Sequence, residues 1–175
     1  FMKSFTPGPS ELTALRRIPF EFGNFSKYIE IKSTRAVAGG PTLERAVAEY
    51  ASHTYISGQV VIADGADDPF TFDGTTFASR TFTTTTGFDP KTFDGVVAHH
   101  DRLFFWRHDG DLEFYYGDVG AVQGALTRFP LSRLGNITGT IKTVISLTID
   151  AGQNLNDVLC ILTSTGQIIL YEGLD

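Results

Sequence analysis

One short design occurs three times in this sequence: an apolar run, a polar turn containing glycine, then a return run that ends in an aromatic and a glycine. Gln59-Val60-Val61-Ile62-Ala63 leads through Asp64–Pro69 to Phe70-Thr71-Phe72 and Asp73-Gly74. Arg102–Arg107 leads through His108-Asp109-Gly110-Asp111 to Leu112–Tyr116 and Gly117. Asp157–Thr163 leads through Ser164-Thr165-Gly166 to Gln167–Tyr171 and Glu172-Gly173. Asp-Gly and Thr-Gly steps supply the positive φ that tight hairpins need, so each copy predicts a β-hairpin. A lone hairpin cannot bury its apolar face, and a repeated one needs stacked neighbours.

The closing aromatics Phe72, Tyr116 and Tyr171 fall about 44 and 55 residues apart, close to the roughly 40–50-residue period of propeller blades. Val96-Val97-Ala98 and Val144–Ile149 read as further strands between the copies. The expected class is all-β, part of a β-propeller built from aromatic-ended hairpins, with a β-sandwich as the alternative. A propeller needs about four blades, and three hairpins fall short of that. The expected organisation is an irregular N-terminal region over 1–50 and a hairpin-repeat region over 51–175, within a longer chain. In the N-terminal region, Ser10–Arg17 suggests a short helix with Ser10 as its cap. Phe20-Glu21-Phe22 and Tyr28–Lys32 alternate as half-buried strands, and Leu43, Ala46, Val47 and Tyr50 recur at helical spacing.

Composition agrees with strands. The chain has 15 Phe and 6 Tyr, with 42% hydrophobic and 19% charged residues, enough apolar material for a core. A net charge of -6 argues against gripping nucleic acid, which calls for a basic surface. Cys160 is the one cysteine, and its apolar neighbours predict a buried, inert thiol. No apolar stretch reaches the ~20 residues of a membrane span, and Phe1-Met2-Lys3 leads into Ser4–Pro7 without the apolar core of a signal peptide.

No pattern in the sequence nominates a catalytic centre. His99-His100-Asp101 is the most suggestive cluster, but neighbours on a strand point to opposite faces, so the two imidazoles are not expected to share a metal. His53 and His108 lie elsewhere. Asp64, Asp67 and Asp68 lack the register of a calcium loop and read as an acidic turn. The glycine-rich stretch 117–124 has no Lys-Ser/Thr step for phosphate and reads as a connector. Thr81–Pro90 reads as a strand running into an exposed loop whose hydroxyls could meet sugar or another subunit. No cysteine–histidine pair, serine elbow or carboxylate pair is marked. The expectation is a non-enzyme with no catalytic, cofactor or metal residues.

Residues 58–74 and 95–175 carry an ordered run of short motifs. Val60–Pro69 followed by Phe72-Asp73-Gly74-Thr75-Thr76-Phe77 comes first. Ala98-His99-His100-Asp101-Arg102-Leu103-Phe104-Phe105 is next, then Leu112–Tyr116 with Val119–Leu131. Asp150-Ala151-Gly152, Asp157 and Thr165–Asp175 complete the run. This run resembles tail structural proteins of tailed bacteriophages, with Gly117-Asp118 standing where that family has Leu-Pro. The resemblance implies a β-propeller nozzle or hub subunit of a short tail, a structural virion protein. Copies of it would form a ring around the DNA exit channel, next to adaptor and tail-fibre proteins. DNA would pass during ejection without specific binding, and no membrane insertion is expected. An acidic wall suits such a channel, since it repels DNA. The rival reading is a carbohydrate-binding β module on a tail or cell surface, using Trp106 or the Thr81–Thr86 loop.

Overall fold

The computed structural model describes residues 15–22, 25–32, 51–150 and 155–172. Among these are fourteen strands, two short 3-10 turns and no α-helix. The all-β expectation therefore holds, and no sheet closes on itself.

The first two strands, β1 (Leu15–Phe22) and β2 (Phe25–Lys32), pair antiparallel from Leu15↔Lys32 to Phe22↔Phe25. Both alternating stretches foreseen here are strands. The helix expected over Ser10–Arg17 is corrected, because Leu15, Arg16 and Arg17 belong to β1. Pro19 disfavours helical backbone at Ile18 and offers no helical N–H. Ile18, Phe20 and Phe22 then recur at the period of two that suits a strand. The helix expected around Leu43–Tyr50 lies outside the described residues.

From residue 52 onward the chain lays down three sheets in succession. The first is the antiparallel meander β3 (Ser52–Ile56), β4 (Gln59–Ala63), β5 (Phe70–Phe72) and β6 (Phe77–Ser79). The chain next forms β7 (Phe82–Thr84), then the second meander: β8 (Gly95–His99), β9 (Arg102–Trp106), β10 (Glu113–Tyr116) and β11 (Gly124–Pro130). β7 lies parallel to β11 at the far edge of this second sheet. The third sheet joins β12 (Ile141–Asp150), β13 (Leu155–Thr163) and β14 (Ile168–Tyr171). All three hairpins read from the repeats are present: β4–β5, β9–β10 and β13–β14.

The sheets stack through their apolar faces, and β9 shows why. Its run Leu103-Phe104-Phe105-Trp106 alternates between two cores. Leu103 and Phe105 meet Ile56, Val61 and Ala63 of the first sheet, together with Phe93, Val96 and Tyr115. Phe104 and Trp106 point the other way, onto Val144, Leu159 and Ile161 of the third sheet. A strand covered on both faces reads as an unbroken apolar run, as this one does. Rings fill both interfaces: Phe93 stacks on Phe105 with centroids 5.2 Å apart, and Phe114 on Phe129 at 4.8 Å.

The strand that opens each meander (β3, β8 and β12) is an edge strand, and these edges meet. β3 lies against β8, and β8 against β12. Side chains from the neighbours complete the hydrogen bonding of β8. The Ser52 hydroxyl accepts from the Val96 N–H at 3.2 Å and is 3.1 Å from the Val96 carbonyl. The Thr54 hydroxyl accepts from the Ala98 N–H at 2.9 Å. A buried backbone donor without a partner is costly, so these hydroxyls bind one sheet to the next.

Candidate functional site

The histidine pair sits where this seam of first strands meets the β8–β9 turn. His99 ends β8, but His100 and Asp101 form a two-residue turn with φ of 47° and 54°. His100 is therefore not in extended backbone, and the opposite-face argument fails there: the two rings lie 4.2 Å apart. His99 is buried, with Nδ1 2.8 Å from the Ser146 hydroxyl of β12 and Nε2 without a hydrogen-bond partner. Burial, and then the neighbouring His100, hold its pKa below the ordinary imidazole value. The ring is thus favoured neutral, because a second N–H at Nε2 would find no acceptor. His100 Nε2 reaches only the Asp157 carbonyl, at 3.4 Å. His53 lies on β3, while His108 joins the Asp94 carboxylate at 2.8 Å. No group of three metal-ligating side chains occurs among the described residues.

Asp67 and Asp68 meet the Lys91 ammonium at 3.4 and 3.6 Å, and they hold its pKa above the usual lysine value, Asp68 foremost. Asp64 is buried, and its carboxylate accepts from the Ala66 N–H at 3.3 Å. The acidic turn thus fastens the loop after β7 to the first sheet. Solvated pairs of this kind add little stability.

Within the threonine tract, Thr84 donates its hydroxyl to the Phe88 carbonyl at 2.8 Å, and Thr86 lies 3.4 Å from the Tyr115 hydroxyl. Thr83 and Thr85 remain exposed. Trp106 is 3% exposed and packed between the second and third sheets, so its ring offers no face for a sugar. Cys160 was expected to be buried but is half-exposed on β13. On the same face Val158 is buried and Leu162 exposed, so cover gives out along the strand. The connector expected over 117–124 is a loop between β10 and β11 as far as Gln123; Gly124 opens β11.

Two carboxylates unmarked by any sequence motif line one cleft: Asp111 and Glu113, with Trp106, Arg107 and Tyr115. The space is about 10 Å3, room for a single water, whereas ligand pockets run to about 300–1,000 Å3. Both oxygens of buried Glu113 are already engaged. Tyr115 donates its hydroxyl to Oε1 at 2.6 Å, and the Arg128 guanidinium pairs with Oε2. Burial, and then Glu113 itself, raise the Tyr115 pKa. This arrangement locks β10 to β11 and leaves no space for a substrate.

The remaining candidate is the seam itself. Across β3, β8 and β12 the only cationic residue is Lys142, and it is paired with Asp109 at 3.1 Å. His53, Tyr55, Ser146 and Thr148 are exposed on these strands. The seam mixes these hydroxyl-bearing groups with exposed Ile145 and Leu147 of β12 and carries no arginine. The chain matches no family model, no curated protein and no solved structure.

Proposed function

We propose that this chain is a non-enzymatic structural subunit of a bacteriophage tail, supplying propeller blades to a ring around the DNA exit channel. One observation carries the reading. The motif run that resembles phage tail proteins coincides with three successive antiparallel meanders stacked face to face, with β3, β8 and β12 adjacent. In a β-propeller, four-stranded sheets surround a central channel in this manner. The first and second meanders each supply four antiparallel strands, and the third supplies three. A seam whose one lysine is already paired suits a wall past which DNA moves without adhering.

Negative-stain microscopy of the protein, together with a protein inventory of purified virions, tests this. Rings with an open centre, and the chain present in virions, are expected. A monodisperse monomer without rings, absent from virions, would sink the reading. The carbohydrate-binding alternative keeps one supporting feature, the exposed Thr83 and Thr85. Selective binding on a glycan array would favour it, since a ring subunit should bind no particular sugar.

A further inference from the structure

Two imidazoles hold the β8–β9 turn to the third sheet. His99 Nδ1 lies 2.8 Å from the Ser146 hydroxyl of β12, and His100 Nε2 lies 3.4 Å from the Asp157 carbonyl of β13. The His99 ring meets Phe104 edge-on, with centroids 5.9 Å apart, and Phe104 belongs to the core shared with Val144 and Leu159. The turn itself has positive φ at both His100 and Asp101, a backbone that residues with a side chain keep only where the surroundings impose it. On its other side the turn is tied separately. The Gly120 N–H donates to the Asp101 carbonyl at 2.6 Å, and Arg102 donates to the Gly117 carbonyl at 3.0 Å. Parting from the third sheet therefore leaves the turn anchored on the second.

We infer that His99 and His100 form an acid-sensitive latch, which holds the β8–β9 turn against β12 and β13 at neutral pH and releases it in mild acid. A proton added to His99 enters a closed site. Whichever nitrogen carried the first proton, the cation has an N–H at Nε2, where no acceptor lies. The second imidazole stands 4.2 Å from the first. A buried charge without a partner is costly, and two cationic rings at that distance repel. Asp157 of β13 favours the cation, but burial and then His100 outweigh it. The other charged groups on the adjoining elements are engaged elsewhere: Lys142 of β12 with Asp109, Arg102 with Gly117, and Asp101 against Gly120. From β3 the titratable groups are His53 and Tyr55, both exposed. Once the turn swings out, water accepts from Nε2 and the two rings separate. As pH falls from the free imidazole value of about 6.5 toward the lowered folded value, release becomes about tenfold more populated per pH unit. The latch needs no ring and stands apart from the tail reading.

Hydrogen–deuterium exchange read by mass spectrometry tests the latch. Wild type and variant are compared at the same pH, so that the intrinsic exchange rate cancels. Over residues 97–104 and 141–148, the ratio of wild-type to His99→Gln exchange should rise at least about threefold from pH 7.5 to pH 5. Over β4 and β5 of the first sheet the same ratio should stay constant. His100→Gln changes an exposed residue and removes the second charge, so it should respond to acid less than the wild type. His53→Gln, on β3, should keep the wild-type response over both segments. A ratio that is constant between the two pH values, or that rises equally over β4 and β5, would overturn the proposal. If His99→Gln does not fold, His100→Gln takes its place in the ratio, and a constant value there has the same consequence.

Discussion

Gly95 faces Trp106 across β8 and β9, and the space it leaves is already filled by the indole. A Cβ at this position would lie 2.1 Å from Trp106 Cε2. The glycine is required for space, since its φ is not among the positive ones. Gly95→Ala is expected to cost about 3 kcal/mol or more, since backbone and ring cannot both yield in a packed core. Urea denaturation measures this, and Trp106→Leu should recover part of the loss in the double variant. His99 gives a second expectation, in pH. Its folded pKa is lowered, so between that value and the unfolded value of about 6.5 the unfolded chain binds more protons. Stability should therefore fall as pH drops through this window and level off below it. Partial desolvation on β3 lowers His53 as well, although its side chain keeps contact with solvent, and this adds in the same direction. Denaturation midpoints at pH 5 and 7.5 should differ in the wild type and differ less in His99→Gln; an unchanged difference would refute the assignment. The sequence placed the two histidines side by side but could not bring their rings together. A two-residue turn with positive φ at His100 and Asp101 did that, without the glycine that usually announces such a turn.

At the scale of elements, the strands that the sequence revealed are those buried on one or both faces. Gln59–Ala63 was bounded correctly, and Arg102–Arg107 overran β9 by one residue, because their apolar runs end abruptly near turn residues. β11 went unread. It lies between β10 and the short β7 with Leu126 its one buried residue, so its hydrophobic signal is faint, and its Arg128 reveals a role only through Glu113 of β10. β3 was equally faint, alternating Ser52, Thr54 and Ile56 with exposed His53 and Tyr55. Yet β3 supplies the hydroxyls that complete β8. Ser52→Ala and Thr54→Val should each cost about 0.5–1.5 kcal/mol, the usual net worth of a hydrogen bond. The amides of Val96 and Ala98 should then exchange faster with deuterium, while those within β9 keep their protection. Unchanged exchange at both amides would mean that the hydroxyls do not bind the seam.

For the whole molecule, the second sheet is the element shared by both cores, so the stack should unfold as a unit. Trp106 reports on the interface with the third sheet, and Phe105 packs toward the first. Tryptophan fluorescence and far-ultraviolet circular dichroism are expected to give one coincident midpoint. Phe105→Ala, costing about 3–5 kcal/mol, should move both signals together; two separated transitions would show that the sheets unfold independently. The residue order alone determined that the chain forms hairpins and where three of them turn, because alternation, glycine and aromatic endings act over a few residues. It did not determine which apolar runs are covered. Leu103–Trp106 and Leu159–Leu162 look alike as text, yet one is buried on both faces and the other exposes Leu162 and half-exposes Cys160. That difference depends on how many sheets lie on either side of a strand, a relation between segments far apart in the chain, and only the tertiary structure decides it.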